Sequence, residues 1–157
     1  MKNKAWIGGD FLATQIEDIY SRFSTKYLDY NLLKYTDEEI ERDYDRLLNS
    51  AISRFYTCEK LSTLNMLTRQ FEETLSFQEI EIMSEFMVLG WIERQVQDIT
   101  KFKDRLASKD YQTFSRANML STLLKVKEDK QSEIDKLLSE YGTQISLQRM
   151  KKILNKT

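Results

Sequence analysis

The chain has 157 residues, a formal net charge of −1, 41% hydrophobic and 31% charged residues; this balance fits one globular domain with its own core and excludes a disordered polyelectrolyte or a generally basic nucleic-acid binder. It contains no proline, no histidine, one cysteine and four glycines. Missing prolines favour long unbroken helices, missing histidine removes the commonest general base and metal ligand, and one cysteine closes no internal disulfide and completes no thiolate zinc site.

Residues 1–9 read as an N-terminal arm without the apolar core of a signal peptide, and no apolar run approaches the ~20 residues of a membrane span. With no export signal, the single Cys58 fits a reducing cytoplasm. Asp10 is predicted to cap a first helix, on which Leu12, Ile16, Ile19 and Phe23 share a face. Residues 25–35, rich in tyrosine, read as a connection with an extended piece. Thr36-Asp37-Glu38-Glu39 has the pattern of a capping box, with acids at the positive end of the helix dipole. Ile40, Tyr44, Leu47, Leu48, Ala51, Ile52 and Phe55 then keep helical spacing.

Residues 57–75 hold no sustained period and are expected to form a loop with a short helix. Ser76-Phe77-Gln78-Glu79 is a second capping box. Behind it Ile80, Met83, Met87, Trp91, Val96, Ile99, Phe102 and Leu106 form one side, while Ile82, Leu89 and Ile92 lie elsewhere round the axis. The first half of this helix is therefore expected to be buried on nearly all sides, with Trp91 largely covered, and residues 93–104 to be more exposed. Gly90 costs about 1 kcal/mol against alanine, which predicts close approach of another backbone.

Ser108-Lys109-Asp110 reads as a break, followed by a helix from Phe114 or Ser115 to Tyr141. Its apolar face is Ala117, Leu120, Leu124, Ile134, Leu137, Leu138 and Tyr141, interrupted by the polar run 125–133, which implies solvent or a charged neighbour. Lys125–Asp129 and Lys136–Glu140 are spaced to pair. Gly142 is expected to stop the helix. The fold class is thus all-α: a small helical bundle with long helices over residues 10–142, and a basic amphipathic C-terminal extension over residues 143–157. That extension carries Arg149, Lys151, Lys152 and Lys156 and no acid, so it holds +4 and the rest of the chain −5.

Chemistry is sparse. The acids Glu38, Glu39 and Glu41, and Glu79, Glu81 and Glu85, are dense enough for a carboxylate metal site, but such clusters in a first helical turn serve capping and solubility. Cys58 has no histidine to activate it, only Lys60 nearby, and reads as a small buried thiol. Gly8-Gly9 lacks the spacing of a phosphate loop. The extension is the one candidate site: Leu147, Arg149, Met150, Lys151, Lys152 and Leu154 are the expected partner-binding residues of an amphipathic docking helix.

Three stretches, in this order, carry a resemblance. They are Leu75-Ser76-x-x-Glu79-Ile80-Glu81-Ile82 leading to Met87-Val88-Leu89-Gly90-Trp91-Ile92-Glu93, then Lys109-Asp110-Tyr111, then Ser115-Arg116-Ala117-Asn118-Met119-Leu120. With the upstream helical pattern over residues 44–55, which ends near Cys58, they resemble the small helical head–tail connector proteins of tailed bacteriophages, also called adaptor or neck proteins. The resemblance spans roughly residues 10–141. It implies a virion protein made in the host cytoplasm that forms a ring, usually twelve copies, beneath the portal protein. The ring would present a surface to the next neck or tail protein and let DNA pass without sequence-specific binding. It implies no active site, metal or cofactor, and it casts Met87, Gly90, Trp91, Ala117, Asn118 and Leu120 as packing framework. Two departures stand out: the family often breaks the helix with proline just after its Trp-x-Glu, where Arg94-Gln95-Val96 continues here, and the chain beyond Gly142 is longer than usual. The alternative reading is a small helical regulatory or scaffolding protein that binds one protein partner. An enzyme built on carboxylates and magnesium is a third.

Overall fold

The computed structural model describes residues 13–27, 34–105 and 110–155, with the side chains of 102–105 and 110–116 outside that description. Four α-helices occur among these residues: α1 Ile16–Lys26, α2 Asp37–Arg54, α3 Phe77–Arg105 and α4 Asp110–Leu154. Between α2 and α3 lie a 3-10 helix, Glu59–Thr63, and a small antiparallel pair, β1 Leu64–Asn65 and β2 Gln70–Phe71. The all-α expectation holds. The arm 1–9, Asp10, Leu12, Leu106 and Lys156 lie outside the described residues, as do residues 28–33 of the expected connection.

Helix starts follow local chemistry. The Thr36 hydroxyl accepts from the Glu39 amide at 3.3 Å, and the Glu39 carboxylate accepts from the Thr36 amide at 2.9 Å. Ser76 and Glu79 repeat the exchange at 3.2 and 2.6 Å. Each box satisfies amides that have no partner within their own helix. The first helix corrects the expected start at Asp10: it begins at Ile16, where the Gln15 amide donates to Asp18 at 3.2 Å. The residues just before it are extended because they add to the hairpin. Gln15 bridges Gln70, and the Phe71 amide donates to the Thr14 carbonyl at 2.8 Å. The 57–75 stretch thus contains the short helix expected of it and also strands, which its lack of period did not disclose.

The helix α3 is the axis of the bundle. Residues 82–89 are buried on every side, because α1, α2 and α4 all pack on it. Phe23, Phe55, Phe71, Leu48, Met83, Met87 and Ile134 are among the fully enclosed side chains. Trp91 is half-buried rather than largely covered. It sits at the margin of the core, where the Tyr27 ring lies 4.1 Å away, centroid to centroid. Over residues 93–101 the helix is intermediate or exposed, as its polarity predicted.

Gly90 is tight, but against a side chain and not a backbone: a Cβ there would meet Leu47 Cδ2 of α2 at 3.2 Å. Gly90→Leu should therefore overpack the α2–α3 seam and cost about 1–3 kcal/mol. An unchanged denaturation midpoint would remove the packing role.

Two boundaries of α4 differ from expectation. It begins at Asp110, not Phe114 or Ser115, and it runs through Gly142 to Leu154. Gly142 does not stop the helix because flanking residues tie both sides of it to the core, Tyr141 buried and Ile145 half-buried. With no proline to break it, propagation outweighs the glycine's entropy. Nothing lies within 4 Å of a Cβ placed on Gly142. Gly142→Ala should accordingly stabilise the chain by about 0.5–1 kcal/mol, read as a raised thermal midpoint, whereas a loss would mean that the helix bends there.

The polar middle of α4 faces a charged neighbour. Lys127 reaches Glu93 at 3.5 Å and Lys130 reaches Glu85 at 2.8 Å, both on α3. Among the described residues, the expected pairs Lys125–Asp129 and Lys136–Glu140 are not formed, and Lys130 instead pairs within α4 with Glu133 at 2.6 Å.

Candidate docking surface

The helices α3 and α4 run antiparallel: Lys127 lies beside Glu93, and Tyr141 beside Glu79. Because α3 begins at Phe77, the last turns of α4 pass beyond it as an arm. Tyr141 is its last buried residue. Beyond it, Leu147, Met150, Ile153 and Leu154 are exposed, Leu154 to 74%. Their spacing of three, three and one residues sets most of them on one face. Arg149, Lys151 and Lys152 are also exposed. All six predicted partner-binding residues therefore stand on this one helical arm.

Two of them border a cleft of about 670 Å³ within the chain itself. Arg149 and Lys152, with Ile145 and Gln148, face Glu59 and Phe77 across it. Leu147, Met150 and Leu154 are not among its lining residues and are turned to the other faces of the arm. The Arg149–Glu59 pair spans 3.7 Å between two exposed side chains, and such pairs contribute little.

A buried carboxylate anchors the root of the arm. Glu79 accepts from the Ser76 amide at 2.6 Å, Lys60 Nζ at 2.9 Å, the Tyr141 hydroxyl at 2.9 Å and, weakly, Cys58 Sγ at 3.6 Å. Burial alone would raise its pKa, but the Ser76 amide, Lys60 and Tyr141 outweigh burial and hold the group below the ordinary glutamate value. Burial pushes the Cys58 thiol up, which makes it a poor nucleophile. The capping role of Glu79 was readable from Ser-x-x-Glu spacing. Its bonds to Lys60 and Tyr141 were not, since those partners come from distant segments. The other acids of the cluster are likewise held by cations: Glu81 pairs with Arg22 and Lys26, and Glu85 with Lys26 and Lys130.

A second surface lies at the opposite end of α2. Residues 36–45 hold six acids and one base. Beside them α2 and α3 form a cavity of about 450 Å³ in which Ile40 and Trp91 lie among balanced charges, Glu39, Asp43 and Asp98 against Arg42, Arg46 and Arg94. Arg94 is ion-paired with Asp43, yet its Nη2 atom is buried without a hydrogen-bond partner. Sequence spacing held no sign of this cavity, because its walls are about fifty residues apart along the chain. Among the described residues no helix is long and apolar enough to cross a membrane. No family model, no curated protein and no solved structure matches this chain.

Proposed function

We propose that the chain is a structural subunit of a tailed-phage neck, a head–tail connector that assembles as a ring beneath the portal and joins the capsid to the next neck or tail protein. The ordered resemblance of residues 75–93, 109–111 and 115–120 to connector proteins carries this reading. Three features of the fold are compatible with it. Met87 is enclosed in the core and Gly90 abuts Leu47, as packing-framework residues should be, while Trp91, Ala117 and Leu120 are half-buried and Asn118 is exposed, which departs from that role. A ring needs unlike faces that meet head to tail, and the protomer has an acidic end and a basic arm. The acidic balance of residues 1–142 would keep a channel wall from holding a passing polyanion.

The test is to mix the purified chain with portal rings and image the product. Rings of this chain stacked on the portal, and its label at the virion neck, are the expected results. A stable small oligomer indifferent to portal would replace the connector by the regulatory or scaffolding reading. The connector reading also predicts that the purified chain has no hydrolase, transferase or nuclease turnover. Activity abolished by a point substitution in this chain would end it.

A further inference from the structure

We propose that the outward face of the α4 arm is a short coiled-coil seam that docks one amphipathic helix of a partner protein, a helix with an acid placed to face Lys151. The inference does not rest on the connector reading; it names the chemistry of the partner that the arm fits.

The arm has two opposite faces. At about 100° per residue, Ile134, Tyr141, Ile145 and Lys152 fall on one side of α4. That side is turned to the chain's own body: Ile134 and Tyr141 are buried, Ile145 packs on the core, and Lys152 lines the cleft with Glu59 and Glu73. Thr143, Leu147, Met150 and Leu154 fall within an arc of roughly 60° on the other side. All four are exposed. Their spacing of four, three and four residues is that of alternating a and d positions, the knobs of a helix–helix seam.

Position along the helix distinguishes this seam from a solvated face. Further back on the same side of α4, beside the body, stand Asp129, Ser132 and Lys136, all exposed. Apolar residues take over only beyond Tyr141, where α4 passes the start of α3. The chain's own core makes no use of them, and water contact with a contiguous apolar stripe is unfavourable until something covers it.

Spacing and charge select the occupant. A second helix offers side chains at the same period to interlock with Leu147, Met150 and Leu154, whereas a phosphate backbone offers them no apolar contact. Arg149 and Lys152 already face Glu59 and Glu73 in the cleft. Lys151 borders the seam, has no ion-pair partner among the described residues, and no acid follows Glu140 in the chain. A second arm would bring another Lys151 and no acid, so the matching helix carries an acid at the flanking position.

The test uses the full chain and two designed three-heptad helical peptides, with Leu at a and d and either Glu or Lys at e and g. Fluorescence anisotropy should show the Glu peptide binding about tenfold more tightly than the Lys peptide. Leu147→Asp with Met150→Asp should abolish binding while keeping the wild-type circular dichroism. Lys151→Glu should reverse the preference between the peptides, and it decides the matter even where the double variant fails to fold. Lys152→Glu, on the cleft side, should leave the preference within about twofold of wild type. A wild type that binds neither peptide or both equally, or equal responses to Lys151→Glu and Lys152→Glu, would overturn the seam. So would self-association lost with Met150→Asp, which assigns the face to a second copy, or tighter binding of a DNA duplex or of phosphatidylglycerol vesicles than of the Glu peptide. Portal stacking is a separate measurement: rings on the portal without peptide binding would keep the connector and remove the seam, and peptide binding without rings would do the reverse.

Discussion

Phe55→Ala is expected to lower stability by about 3–5 kcal/mol, one of the two largest single-site losses anticipated in this chain. Phe55 is fully enclosed. Its ring lies 5.1 Å from Tyr141 of α4 and 6.4 Å from Phe86 of α3, and its amide closes the end of α2 by donating to Ala51 at 2.9 Å. One side chain thus fills the point where three helices meet, and collapse of the resulting void would need all of them to move. The neighbouring residue makes the control, because Tyr56 is 83% exposed and its truncation should stay within about 0.5 kcal/mol. Urea denaturation of both variants reads the contrast. A Phe55→Ala loss as small as that of Tyr56→Ala would mean that the three-helix junction is not where the core is tied.

Glu79→Ala should cost a comparable amount, about 3 kcal/mol, by leaving the buried Tyr141 hydroxyl and the Ser76 amide without their acceptor. Lys60 is partly exposed and would turn to water, so the loss falls on the other partners. Glu79→Gln keeps an acceptor oxygen and should lose less. The charge itself shows in the pH dependence. Burial works to raise the carboxyls of Glu79, Glu81 and Glu93, but hydrogen bonds and cations prevail and hold each below its ordinary value. A depressed folded pKa means stability fully present above the unfolded value of about 4.3 and lost as pH falls through the folded ones. Acid should therefore destabilise the wild type progressively below about pH 4.3, and Glu79→Gln should flatten that slope. Equal slopes for the two proteins would show that Glu79 titrates alike in both states.

The two glycines show how local and tertiary information divide. Both carry the same entropic cost in a helix. Gly90 is retained against Leu47, a contact made by another helix, whereas Gly142 has open space around it and looked like a stop only from its neighbours in sequence. Arg69 is the converse case. It adopts a left-handed φ of 55° in the hairpin, where glycine would be usual. It is held there by Glu17, Glu41 and Asp45 from α1 and α2, partners more than twenty residues away.

For the docking surfaces the division is similar. The arm was legible because its charges and apolar residues lie within fifteen positions of one another. The cavity between α2 and α3 was not, because Ile40 and Trp91 meet only when α2 folds back along α3. By itself the sequence determined the helical class, both capping boxes, the enclosed first half of α3 and the amphipathic arm. Each depends on residues one to four positions apart, whose geometry a helix sets regardless of what surrounds it. Tertiary structure alone decided where α4 ends, which acids the lysines of its polar middle find, and how residues 64–71 pair. Those outcomes depend on contacts between distant segments, and a buried anchor such as Tyr141 on Glu79 can override a local preference worth only about 1 kcal/mol.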